Sequence, residues 1–134
     1  MSNFEQALAQ RIEKSETRIT KVIFPNTTNH HDTLFGGQAL AWMDEVAFIA
    51  ASRFSRKKMV TVSSDQVDFK HPIPSDSIVE LVAKVTEVGK SSCKVTIDIF
   101  VEGLYKDNRM KAITGVFSFV AIGDDKKPTL ILGS

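Results

Sequence analysis

The stretch "LFGGQALAWMDEVAFIAASRF", Leu34 to Phe54, sets two carboxylates, Asp44 and Glu45, in an otherwise almost wholly apolar run that opens on Gly36 and Gly37. An ionised carboxylate on a desolvated helix is costly unless it is paired, hydrogen-bonded or put to use. Nothing about a helix interior asks for aspartate, and its short side chain cannot snorkel to water. Glu45, with Gln38 seven residues before it, reads as part of a solvent-facing strip. Asp44 lies about 100° further round the helix and is compatible with a surface role or with chemistry. Glycines at a helix start leave backbone N–H groups unscreened. Together with the helix dipole, those groups bind negative charge developing on an oxygen. Tight packing of helix on sheet is the competing explanation for the pair. An oxyanion site with a carboxylate points to acyl transfer or hydrolysis.

Geometry adds a condition. Gly36 and Asp44 are eight residues apart, which is roughly 12 Å of helix. A base or nucleophile must come within about 3–3.5 Å of the carbon whose oxygen is being held. One helix therefore cannot bring both groups to one carbonyl. Two antiparallel helices across a two-fold axis can, which asks for a dimer with two composite sites.

The elements around this helix follow from pattern. Ser2 and Glu5 form a capping box ahead of the stripe Phe4, Leu8, Ile12, so residues 1–15 read as a helical extension on the surface or on a partner. "TRITKVIF" alternates as a first strand and stops at Pro25, and Asn26 to Thr33 is a polar loop. The long helix runs from about Gly37 to Phe54 and is apolar nearly all round, so a second subunit is expected to cover what one sheet cannot. Four strands follow, "MVTVSSDQVDF", "SIVELVAKVTEV", "SCKVTIDIFVEG" and "MKAITGVFSFVAIG", joined by "KHPIPSD", "GKS" and "LYKDNR". Short links argue for an antiparallel meander, hence an α+β fold with one sheet and one principal helix. Residues 124–134 read as a frayed tail.

Composition sets bounds. The 134 residues suit a single domain, and a quarter of them are charged with a net charge of +1. Nothing overall drives the chain toward nucleic acid or an anionic membrane. A lone cysteine, Cys93, permits no internal disulfide and no zinc cluster, and it alternates with Val95 and Ile97 as a small core residue. With no long apolar run, the expectation is a reduced, cytoplasmic protein with no metal and no membrane or nucleic-acid partner.

The blocks "TNHHDTLFGGQALAWMDEVAFIAASR", "VTVSSDQVDFKHPI", "VGKSSCKV" and "GVFSFVAIGDDKKP" resemble, in order from Thr17 to Pro128, the hotdog-fold acyl-CoA thioesterases of the YciA and cytosolic acyl-CoA hydrolase group. The resemblance implies a long helix wrapped by an antiparallel sheet of five or slightly more strands. It also implies a homodimer that often assembles to a tetramer or hexamer, and a place in lipid metabolism. By motif match it gives Asp44 the catalytic acid's place, Asn29 that of a loop asparagine positioning water or thioester, and Gly36–Gly37 that of the helix start polarising the carbonyl. The implied reaction converts acyl-CoA to free CoA and a carboxylic acid without metal, coenzyme A entering only with the substrate. Asp44 would act as general base or as nucleophile through an anhydride.

Family members commonly carry glycine where this chain has Asp32. If that glycine serves positive φ, aspartate tolerates the site; if it clears the acyl channel, a carboxylate there would hinder turnover. For the coenzyme A phosphates, the turn Lys90, Ser91, Ser92 is the first choice, since the corresponding family turn is also basic and hydroxylated. Arg53, Arg56, Lys57 and Lys58 also suit a helix C-terminus. His30 and His31 are loop histidines, and Ser63 and Ser64 either face the site or pair with neighbours. Two other functions compete. One is a hotdog hydratase or dehydratase using His30 or His31; the other is a non-catalytic acyl-CoA-binding module.

Overall fold

The computed structural model describes residues 2–25, 28–29 and 31–133; His30 lies outside the described residues. Helix α1 spans Asn3–Ser15, strand β1 Thr17–Ile23 and helix α2 Gly36–Ser55. Strands β2 (Lys58–Phe69), β3 (Ser77–Val88), β4 (Ser92–Gly103) and β5 (Met110–Ile122) follow. They form one antiparallel five-stranded sheet in the order β1-β3-β4-β5-β2. This is the hotdog arrangement expected from the sequence, with α2 lying along the sheet's inner face.

Small residues let α2 approach closely. Ala39, Ala47, Ala50 and Ala51 are buried with Met43, Val46 and Phe54 against Leu81, Val95, Ile97 and Phe119 of the sheet. Gly115 belongs to this fit, because a Cβ there would stand 2.7 Å from the Met43 Cε and 3.1 Å from the Val67 Cγ2. The Ser2 hydroxyl caps α1 by accepting from the Glu5 N–H at 3.0 Å. The two helices then stop each other. Arg11 donates to the Phe54 carbonyl at 2.6 Å, and Arg53 donates to the Lys14 carbonyl at 2.8 Å. Each arginine thus satisfies carbonyls at the other helix's C-terminal end. Helix α1 therefore rests on its own chain, although Phe4 of its apolar stripe stays exposed.

Two expectations are corrected. The four last strands are not a simple meander: β3, β4 and β5 are, but β2 pairs with β5 at the far edge. The β2–β3 link must therefore cross three strand spacings, roughly 14 Å. Its seven residues, 70–76, can reach that far when extended, and Pro72 and Pro74 favour an extended chain. Nor is the C-terminal segment frayed. Ile131 is fully buried, its N–H donates to the Lys90 carbonyl at 2.8 Å, and the Thr129 N–H donates to the Ala121 carbonyl. The run Leu130–Leu132 was too short to show a period, yet one isoleucine is enough to anchor it. No helix of the described residues is long and apolar enough to cross a membrane.

Candidate active site

Along α2 one stripe stays uncovered: Gly37, Leu40, Ala41, Glu45 and Phe48 are exposed, and Asp44 is half-buried among them. These positions recur every three or four residues and so share a face. Glu45 points to solvent, as its type suggested. Asp44 is held, because its Oδ1 accepts from the Thr61 hydroxyl of β2 at 2.9 Å. Directly after Thr61 the register slips, so that Thr61 faces Phe119 and Ser63 faces Ser118, with Val62 as the extra residue. Such a bulge bends an edge strand and re-aims its side chains. Beyond it, Ser63 donates to Asp65 on the outer face, whereas Ser64 sits opposite buried Phe117 and shares its inner face. Thr61 and Ser64 are thus the polar groups that edge strand β2 presents on the α2 side. Sequence reasoning missed Thr61, since a threonine in a strand carries no signal of its own.

The start of α2 is differently built. Phe35 occupies the N-cap with no side-chain bond to the first turn, and an added Cβ on Gly36 would meet nothing within 4 Å. On Gly37 the three nearest atoms it would meet all belong to the Phe35 ring, the first at 2.7 Å. Neither glycine is explained by helix packing on this chain's sheet, and the first N–H groups of a helix have no partner within it. Beside them lies a cavity of about 300 Å³ lined in part by Leu34, Gly36, Phe69, Lys70, His71 and Ile73. The crossing link builds its floor, with the Ile73 carbonyl accepting from the Leu34 N–H at 2.6 Å. Lys70 and His71 are cavity residues that no sequence motif announced.

Asn29 organises the loop before the helix. Its Oδ1 accepts from the His31 N–H at 2.9 Å, the Thr33 hydroxyl at 3.1 Å and the Thr33 N–H at 3.3 Å. The oxygen is fully engaged, so the side-chain group left for a ligand is the NH2, a donor. Asp32 has φ of 60°, the left-handed region in which glycine is at ease. Its carboxylate accepts from the Ser75 hydroxyl at 2.8 Å, while the Thr28 hydroxyl, 3.4 Å from Oδ1, gives its proton to the Pro25 carbonyl at 2.6 Å.

Among the expected phosphate-binding residues, Arg53 spends its guanidinium on Lys14, Glu16 and Thr17, and Lys58 pairs with Asp124. Lys57 donates to the Gly133 carbonyl. Lys90 is exposed at the β3–β4 turn, and Ser91 and Ser92 are half-buried beside it. Register places that turn at the same sheet end as Thr61, through Phe119, Cys93 and Val88 on successive strands. The lateral distance is two to three strand spacings, about 10–14 Å. Cys93 is buried, which pushes its thiol up to about 11.

A thioesterase superfamily model matches residues 31–106, more than half of the chain. The chain belongs to the thioesterase superfamily. YkhA of Bacillus subtilis, named an uncharacterized acyl-CoA thioester hydrolase, is 40% identical over 115 residues, 84% of this chain and 67% of that protein. The acyl-CoA hydrolase of Staphylococcus aureus, solved in complex with butyryl coenzyme A, coenzyme A and coenzyme A disulfide, is similar at 35% identity and TM-score 0.85. The match covers 89% of this chain and 73% of that one. The same enzyme has been solved with an aspartate, a threonine or an asparagine changed to alanine. An apo hexameric acyl-CoA thioesterase matches at 33% identity and TM-score 0.86, over 89% of this chain and 76% of that one.

Proposed function

We propose that this chain hydrolyses acyl-CoA thioesters to coenzyme A and a carboxylic acid, in composite sites formed by two copies. The carrying observation is the Asp44–Thr61 pair, an oriented carboxylate on an apolar helix face that its own sheet leaves uncovered. Only a neighbouring molecule can desolvate that face. Its own glycine-started helix end is some 12 Å away, too far to serve the same carbonyl. The α2 start of the second copy supplies the polarising N–H groups of Gly36 and Gly37, and Asn29 adds its NH2 as a further donor to the oxygen.

In this reading the carboxylate oxygen not engaged by Thr61 acts in one of two ways. As a general base it takes a proton from water while the water oxygen bonds to the thioester carbon. The C–S bond then breaks, and the departing thiolate receives the proton. As a nucleophile it displaces the thiolate itself, giving an anhydride that water opens. The Lys90, Ser91, Ser92 turn receives the phosphates of coenzyme A, a role supported by its place at the same sheet end as Thr61, two to three strand spacings away. Arg53 is left to the junction of the two helices. The S. aureus enzyme, whose aspartate, threonine and asparagine were each replaced for study, supports the reading, because this chain has one residue of each type in Asp44, Thr61 and Asn29.

The test is thiol release from a panel of acyl-CoAs by the wild type and by Asp44→Ala, with light scattering on both. Turnover lost in the variant, and a mass of two copies or a multiple, are the expected results. Equal background release by both proteins would end the hydrolase reading. A fully active monomer would end the shared site. Label found in Asp44 after a single turnover in 18O water marks the anhydride course, with water opening the anhydride at the aspartyl carbon.

A further inference from the structure

We propose that Asp32 is a positioning residue, a carboxylate clamp that fixes the Asn29 loop over the groove at the start of α2. The inference rests on the hydrolase reading above and concerns a position where the sequence comparison raised the prospect of obstruction. The carboxylate is instead turned to the protein's own loops. Its Oδ2 accepts from the Ser75 hydroxyl at 2.8 Å, and its backbone carbonyl from the Ser75 N–H at 3.3 Å. The Asp32 N–H donates to the Asn29 carbonyl at 3.0 Å. One residue therefore joins two pieces of chain: the Asn29 turn and the crossing link at Ser75.

The clamp has a purpose because Asn29 cannot place itself. Its Oδ1 is consumed by His31 and Thr33, so the direction of its NH2 follows the backbone of those residues. That backbone touches the rest of the fold through the crossing link, by the Thr33–Pro74 bridge, the Leu34–Ile73 bond and the Asp32–Ser75 pair. Of these, the Asp32–Ser75 pair is the contact that uses side chains, and so it is open to mutation without disturbing the backbone. A donor aimed at a developing oxyanion is sensitive to displacement well under 1 Å. With φ of 60°, Asp32 can be replaced by glycine without strain, so the carboxylate can be removed cleanly.

The experiment compares kcat and KM for thiol release in wild type, Asp32→Gly, Asp32→Asn, Ser75→Ala and the Asp32→Gly/Ser75→Ala double variant. Asp76→Gly is the control, a second left-handed aspartate in the link. Amide exchange of the 28–34 loop is read alongside. The expected result is a fall in kcat of about five- to tenfold in Asp32→Gly and in Ser75→Ala, with KM within about twofold and faster exchange at Leu34. The double variant should be no worse than Asp32→Gly alone. Asp32→Asn, which keeps an acceptor and tolerates the left-handed backbone, should recover most of the rate, and Asp76→Gly should match wild type. Wild-type kcat and exchange in Asp32→Gly, or two losses that multiply, would overturn the clamp while leaving the hydrolase reading intact. A wild type no faster than Asp44→Ala would overturn that reading, and the catalytic role of Asp32 with it.

Discussion

The two faces of α2 have been built to opposite rules. Facing the sheet, alanines and Met43 meet Gly115 and the β4 and β5 side chains with no exposed atoms to spare, and the fit is saturated by this chain alone. Facing away, Gly37, Ala41, Asp44 and Phe48 form an apolar stripe around an acid and are finished by nothing in the same chain. The first face is a core, and its residues are interchangeable in kind so long as volume is kept. The second is left open by the described residues, and the proposed composite site accounts for its residue types. Apolar character alone does not distinguish the faces; the presence of a positioned polar pair, Asp44 with Thr61, does.

The sharpest way to break this contrast is Asp44→Ala. Thiol release should fall by about 10³-fold, in the range expected for losing a base or nucleophile, with the melting temperature unchanged within a few degrees. Retained activity would make the unfinished face an ordinary surface. Next comes Phe48→Glu, which places a charge on the stripe. Scattering should show dissociation, and activity should drop at least about tenfold while the dissociated chain stays folded by circular dichroism. On the finished face the pattern reverses. Met43→Ala should cost about 2–5 kcal/mol in denaturant unfolding, because it leaves a cavity beneath Gly115, yet turnover by the folded fraction should persist.

The smallest effect concerns Cys93, on the inner side of β4. The unfolded chain releases its thiol proton from about pH 8.5 upward, while burial holds the folded thiol until about 11. Across that window the unfolded state binds fewer protons, so stability should be level below pH 8.5 and then fall as pH rises, by up to about 2–3 kcal/mol. A Cys93→Ser variant lacking this slope, followed by urea unfolding from pH 7 to 10.5, is the check. The same thiol should resist a disulfide reagent at pH 8 until the protein is unfolded.

Local pattern carried much of the fold. Strands β3 and β4 alternate so regularly that their ends were readable to the residue, and α2 declared itself by apolar density from about Gly37 to Phe54, against Gly36–Ser55 in the structure. What pattern could not carry was partnership. Nothing within "KHPIPSD" says that β2 will lie beside β5 and not β3, since the outcome depends on where the helix start needs a floor. Ile131 is tied to the core through the Lys90 carbonyl, a partner some forty residues earlier that local pattern does not reveal. The site divides in the same way. Asp44 and the two glycines stood out because their types are odd for their places, and Asn29 only through its match to the family motif. Thr61, Ser75, Lys70 and His71 are ordinary for a strand and a loop, and only contact across the fold distinguishes them.

Ile131 also has a practical meaning for anyone handling the protein. A single buried side chain, close to the end of the sequence, plugs the sheet beside the Lys90 turn. Trimming the chain after Gly123, by protease or by design, would pull that plug and wet the adjoining interior. An affinity tag is therefore better fused ahead of Ser2, where the first helix already faces water.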